Sequence, residues 1–269
     1  MKSYIQLPYR ERVRRGLVDG TWEWTKFGKV RADSDAAFHD VWQYGSDDLG
    51  NVNYVYPLDG TAPINRASSS VVGDTQLVKY FGLDIDGNWV EDTFTLTGQT
   101  PVDIGNSLWR CFTAYNMDPV TSPIIGNGFA GNIHFYADTA AVSGGVPTTP
   151  SDTKTFIQNG YNRTLQSFWT CPAGYTASVD TIRFSLDTKI AAKAALEVYV
   201  RPYGLHPQVV DTGSISSDGT SIEYEIKTNK ATLSPRADFI PRISMDTNDT
   251  SVSIETTFTL TEIGKERNA

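Results

Sequence analysis

The chain of 269 residues reads as an all-β protein built of antiparallel strands, a sandwich or a barrel, preceded by an extended N-terminal arm. Three observations carry this. Apolar and polar residues alternate with a period of two along many short runs, as they do where a strand buries one face and wets the other. Turn signals separate those runs at close intervals. The β-formers Tyr, Phe and Thr are abundant, with 13 Tyr and 12 Phe, and helical patterns between the runs, which βαβ units would need, are missing.

The clearest hairpin lies within residues 81–97. Phe81 to Ile85 leads into the turn Asp86-Gly87-Asn88, and Trp89 to Thr97 returns. Phe94 and Leu96 fall on one side of the pleat, with Thr93, Thr95 and Thr97 on the other. Strands are expected at 69–73, 77–85, 89–97, 107–116, 131–137, 164–170, 176–187, 194–203, 221–227, 236–245 and 251–263. Asp59-Gly60, Asp86-Gly87, Gly126-Asn127-Gly128, Pro172-Ala173-Gly174 and Asp218-Gly219 mark turns between them. Late in the chain Ile182, Phe184 and Leu186 oppose Thr181, Arg183 and Ser185. Leu196, Val198 and Val200 oppose Glu197, Tyr199 and Arg201, and Val252, Ile254, Phe258 and Leu260 oppose their polar neighbours. The alanine-rich stretch 189–197 favours at most a short helix. Residues 138–160, rich in small and turn-forming residues, read as a long surface loop inserted between two halves of the fold.

Charge is uneven. Residues 1–31 carry +5 and residues 32–269 carry −13. An acidic body repels nucleic acid, so no direct nucleic-acid partner is expected, whereas a basic head can dock on an acidic surface, including that of a second copy. The domain reading is therefore an arm over 1–39 and a β-sandwich over 40–269. Arg10, Arg12, Arg14 and Arg15, with the aromatics Trp22, Trp24 and Phe27, are the candidate partner-interface residues. Aromatics this dense argue against a purely solvated tail.

Catalytic chemistry is not indicated, and no catalytic, cofactor or metal site is assigned. His39, His134 and His206 lack ligand neighbours at zinc spacing. Asp84 to Asn88 places its glycine too early for a calcium loop and reads as a hairpin turn. Adjacent carboxylates such as Glu91-Asp92 or Asp47-Asp48 point to opposite faces of a strand and cannot flank one bond. Cys111 and Cys171 read as small buried hydrophobes. Apolar runs are too short for a membrane span, and the N-terminus carries charges where a signal peptide would be apolar. Synthesis in a reducing cytoplasm is the expectation, with no membrane partner. The sequons at Asn162 and Asn248 read as ordinary strand and turn residues.

Several motifs carry a resemblance. Asp40-Val41-Trp42, Ser68-Ser69-Ser70, Gly73-Asp74-Thr75 and Gly82-Leu83-Asp84 are followed by Glu91 through Val102. Trp109-Arg110, Gly131-Asn132-Ile133, Phe168 through Thr176 and Val200-Arg201-Pro202-Tyr203-Gly204 then continue the series. In this order they resemble a family of virion structural proteins of tailed, often marine, bacteriophages over residues 40–263. The resemblance implies a jelly-roll-like β-sandwich. It also implies a non-enzymatic role as capsid decoration or a shell-associated block, a homo-oligomer assembled in the host cytoplasm with other virion proteins. The arm and the Pro-rich stretch near 145–150 lie outside the shared rhythm. A second reading is a tail- or neck-associated module that binds a host glycan, with Tyr199 and Tyr203 on the outward face of one strand.

Overall fold

The computed structural model describes residues 8–32, 37–45, 52–57, 63–117, 128–227, 231–247 and 250–264. A short helix, α1 (Tyr9–Arg14), precedes β1 (Thr21–Ala32) and β2 (His39–Asp40). The middle of the chain forms β3 (Ile64–Ser69), β4 (Leu77–Asp84), β5 (Trp89–Thr95), β6 (Val102–Asn116), β7 (Ile133–Tyr136), β8 (Val142–Ser143), β9 (Val146–Pro147) and β10 (Thr155–Ile157). The last third forms β11 (Trp169–Thr170), β12 (Tyr175–Asp187), β13 (Ala191–Arg201), β14 (Gln208–Asp218), β15 (Ile222–Lys227), β16 (Thr232–Leu233), β17 (Asp238–Met245) and β18 (Thr250–Glu262).

Two of the sheets make the sandwich. One runs β1-β18-β12-β15, with β16 also on β12. The other runs β17-β13-β14, with β2 and β11 both paired to the free side of β17. The chain crosses between the sheets from β1 to β2, β11 to β12, β12 to β13, β14 to β15, β16 to β17 and β17 to β18, while β13 and β14 stay in one sheet as a hairpin. With β2 and β11 sharing one edge position, this is the eight-strand, double Greek-key connectivity of a jelly roll. Every strand pair is antiparallel. The six-stranded sheet β10-β7-β3-β6-β4-β5 lies between β2 and β11 in sequence, so it is an insertion into the jelly roll with a core of its own.

The period-two pattern explains the sandwich core. Ile182, Phe184 and Leu186 of β12, Leu196 and Val198 of β13, and Val252, Ile254, Phe258 and Leu260 of β18 are all buried in one cluster. Trp169 lies against Phe258, ring centroids 4.6 Å apart. The residues read as helical form β13 instead: Ala192 and Ala194 are buried between the sheets, and Lys193 points out. Alanine fills the inward pleat positions where the layers are close, so packing overrides its helical preference. A register shift between Val179 and Thr181 places Asp180 in a bulge, where its carboxylate accepts from the Thr259 hydroxyl at 2.7 Å.

The N-terminal segment is built into the first sheet. Residues 21–32 pair along their whole length with β18, from Thr21 with Thr261 to Ala32 with Thr250, and form the outer strand of the first sheet. Trp22 packs on Tyr175 and Trp24 on Trp89 of the same chain, at 4.7 and 4.9 Å between centroids. Gly28 permits the close crossing of residues 166–167, since a Cβ there would sit 2.3 Å from the Ser167 nitrogen. The loop expected at 138–160 is likewise structured: it holds β8, β9 and β10, and Thr155, Phe156 and Ile157 are buried. The turns expected at Asp59-Gly60 and Gly126-Asn127, the pair Asp47-Asp48 and residues Asn248-Asp249 lie outside the described residues.

Other readings match. Asp84 accepts from the backbone nitrogens of Asp86 and Asn88 at 2.9 and 2.8 Å, a hairpin turn closed by its own carboxylate, with Gly87 at φ +83°. Cys111 and Cys171 are free and buried. His134 is buried beside Tyr44 and Phe156, its Nδ1 3.1 Å from the Thr153 hydroxyl. Burial lowers its pKa to about 4.

Lys26 is the inward residue of β1 that breaks the apolar pattern. It is 3% exposed, and its ammonium donates to the Phe112 carbonyl and to the Thr113 hydroxyl, the latter at 3.2 Å, tying the jelly roll to β6 of the inserted sheet. Burial lowers its pKa to about 7. Between this value and the ordinary lysine value the unfolded chain binds the proton that the folded chain releases. Stability therefore rises with pH across roughly 7 to 10.5 and is lowest below 7, where the buried amine must be charged. Thermal melts between pH 6 and 10 are expected to show this rise in the wild type and a flatter profile in Lys26→Met.

Candidate functional site

A concavity of about 290 Å³ lies at the seam between the inserted sheet and the jelly roll. Trp109 and Arg110 come from β6, Arg201 from the end of β13, and Tyr203 through Pro207 from the connection to β14. Arg236 and Asp238 come from the approach to β17. Only folding brings these four segments together.

Asp238 organises the floor. Its carboxylate accepts from Thr170 Oγ1 at 2.5 Å, from Arg201 Nε at 2.8 Å with a second contact from Arg201 Nη2, and lies 3.4 Å from Arg110 Nε. Arg110 is 3% exposed and spends Nη1 on the Pro57 carbonyl at 2.9 Å, while its guanidinium stacks over Trp109 at 4.0 Å. A buried carboxylate held by two guanidiniums in this way is strongly directional. It leaves the group with one net positive charge before Arg236 is added.

Arg236 completes the wall. Its backbone has φ +63°, the left-handed conformation found at no other non-glycine among the described residues. The bonds from Arg236 N to the Cys171 carbonyl and from Cys171 N to the Ala237 carbonyl, 2.8 and 2.9 Å, hold it there. The guanidinium lies 3.8 Å from the Tyr203 ring centroid and 4.8 Å from that of Trp109, and Nη2 donates to the Ile85 carbonyl at 3.2 Å. Nε is buried with no hydrogen-bond partner. Arg110, Arg201 and Arg236 against Asp238 thus give the pocket an excess of two positive charges, on a protein of net charge −8.

A second surface is convex. β14 and β15 end the two sheets on the same side of the sandwich. β14 is buried only at Ile215, and Val209, Val210, Ile222 and Tyr224 are exposed by 49, 37, 40 and 51%. Asp211, Asp218, Glu223 and Glu225 share these strands. Large apolar side chains grouped on exposed strands mark a candidate interaction surface.

The residues expected at a partner interface fall in several places. Trp22 and Trp24 are half-buried and pack against the chain's own core. Phe27 points to the opposite side of β1, half-buried, with the Arg163 guanidinium 6.0 Å from its ring. Arg14 and Arg15 are exposed and pair with Glu23 and Glu11, each at 2.7 Å, and Arg12 is half-buried on α1. The side chain of Arg10 lies outside the described part. Tyr199 and Tyr203 do not share one strand face. Tyr199 of β13 donates to Glu197 and lies under Arg242 of β17, and Tyr203 lies beyond the strand end in the pocket. The pocket residues Arg110, Arg201, Arg236 and Asp238 have no local spacing that marks a site, although Trp109-Arg110 and Val200 through Gly204 stand among the motifs carrying the resemblance.

No family model and no curated protein matches the chain. Among solved structures it is similar to the cowpea mosaic virus top component, at 8% identity over 76% of this chain and 83% of that one with a TM-score of 0.21. It is also similar to the VP2 subviral particle of infectious bursal disease virus, at 11% identity over 97% and 80% with a TM-score of 0.22. A Cry1Da tryptic core variant of Bacillus thuringiensis stands at 10% identity over 76% and 52%, TM-score 0.20. Likeness at TM-scores this low carries no argument about this chain.

Proposed function

We propose that this protein is a non-enzymatic virion structural subunit, a capsid decoration or shell-associated protein that assembles by surface complementarity. The observation that carries the reading is the β14–β15 edge, where strands of both sheets end together with Val209, Val210, Ile222 and Tyr224 in solvent. The motif resemblance over residues 40–263 supplies the virion context. The jelly roll suits such a role, a fold that builds viral shells and lectin domains, although a fold does not by itself fix a function.

The partner of this edge is a second copy. Its carboxylates Asp211, Asp218, Glu223 and Glu225 complement the basic α1 region of Arg10, Arg12, Arg14 and Arg15, so a head-to-tail contact would place α1 of one copy on the edge of the next. The double variant Val209→Glu, Tyr224→Glu is expected to lower the mass measured by light scattering to that of the monomer, with a melting temperature close to wild type because both side chains are exposed. Wild-type association weakens as salt is raised. A wild-type chain that stays monomeric at high concentration contradicts self-assembly through this edge.

A further inference from the structure

We infer that the pocket at the seam binds a carboxylate-bearing sugar ring, such as the terminal acidic residue of a glycan, with Arg236 as its main anion contact. This goes beyond the assembly reading and does not depend on it.

Four features of the pocket narrow the ligand. First, the site has an excess of positive charge that no side chain of the pocket neutralises: Asp238 is the one carboxylate in the lining against Arg110, Arg201 and Arg236. Second, the guanidiniums are not equally committed. Arg110 and Arg201 are held by Asp238, whereas Arg236 makes one hydrogen bond, to a backbone carbonyl, and keeps Nε buried without a partner. Arg236 lines the pocket and is not paired with Asp238, so its guanidinium is the one free to take an incoming oxyanion.

Third, the backbone at Arg236 is strained, in the left-handed region at φ +63° where glycine would sit freely. Strain of this kind is concentrated where a side chain must be aimed. Here it sets a guanidinium between Tyr203 and Trp109 and against Gly87, where any Cβ would lie 3.0 Å from the Arg236 side chain.

Fourth, size and lining favour a ring. A cavity of about 290 Å³ is several times the size of a lone carboxylate or phosphate, which would leave Tyr203, Leu205 and Pro207 facing water. The carboxymethyl group of an acidic side chain would leave most of it empty too. A sugar acid offers a carboxylate to Arg236 and an apolar C–H face to these three residues. Tyr203 and Leu205 are accessible for this contact, at 40 and 63% exposure.

The test uses the full chain with N-acetylneuraminic acid and glucuronic acid as probes, followed by ligand-observed NMR and calorimetry. Glucose, inorganic phosphate and a glutamate-rich peptide are the comparators. The expected result is saturable binding of at least one sugar acid and no saturation by glucose. Arg236→Gly should weaken that binding at least tenfold while the chain stays folded by circular dichroism, because relief of the strained φ offsets part of the lost ring contacts and the Ile85 bond. Arg236→Lys, which keeps the charge and loses the planar fork, should bind with intermediate strength. A glycan ending in the acid that binds no more weakly than the free sugar supports recognition of a terminal residue.

The inference is overturned if neither sugar acid binds better than glucose or if Arg236→Gly leaves the affinity intact. It is also overturned if phosphate or the acidic peptide binds as tightly as the sugar acids, which would make the pocket a simple anion site or a protein contact.

Discussion

Asp238→Ala is expected to lower the unfolding free energy by about 3–5 kcal/mol, the usual result of removing one partner from a buried ion pair. The cause is not the lost contact alone. Arg110 is 3% exposed and Thr170 2%, so the substitution takes this acceptor from a guanidinium and a hydroxyl that are both almost wholly buried. Arg201 loses two hydrogen bonds at the same time. For a chain of this size the melting temperature should fall by on the order of 10 °C. The double variant Arg110→Met, Asp238→Leu should recover part of the loss, because the buried Arg110 charge is then gone and only the partly exposed Arg201 lacks its partner. Equal melting temperatures for wild type and Asp238→Ala would mean that the carboxylate does not hold the seam between the inserted sheet and the jelly roll.

Deletion of residues 1–32 should give insoluble protein, and deletion of residues 1–20 should not. The longer deletion removes β1, strips β18 of its hydrogen-bonded neighbour along twelve paired positions and uncovers the surfaces under Trp22, Trp24 and Val30. It also turns the long β18 into an unprotected edge, the arrangement that promotes aggregation. The shorter deletion loses α1, the buried side chains of Val13 and Val18 and the surface pair of Arg14 with Glu23. Its cost is a few kcal/mol at most by area, and surface pairs add little. Soluble yield and circular dichroism of the two truncations distinguish a detachable arm from a sheet strand. A folded, soluble chain lacking 1–32 would contradict the placement of β1.

These two regions show where the sequence is readable. β12, β13 and β18 bury one face each, so their alternation is legible residue by residue, and the Asp84–Asn88 turn is legible from its own side chain. β1 is hidden because Lys26 occupies an inward position and Gly28 another, so the run Trp22, Trp24, Lys26, Gly28, Val30 does not look apolar although all five face inward. Its basic neighbours then suggest a solvated arm. β14 is invisible for the opposite reason: with only Ile215 buried, nothing imposes a period of two. The pocket has the least local signature of all. Trp109, Arg201, Arg236 and Asp238 converge only once the inserted sheet closes on the jelly roll, and the unusual φ of Arg236 leaves no trace in the residue type.

The most direct test of the proposed virion role is the copy number of this protein in purified particles of a virus whose genome carries this sequence, by quantitative mass spectrometry against the major capsid protein. A copy number within a small factor of that of the capsid protein is the predicted result. Absence from the particle would contradict a virion role altogether. A handful of copies per particle would contradict the decoration reading and place the chain at the tail or neck.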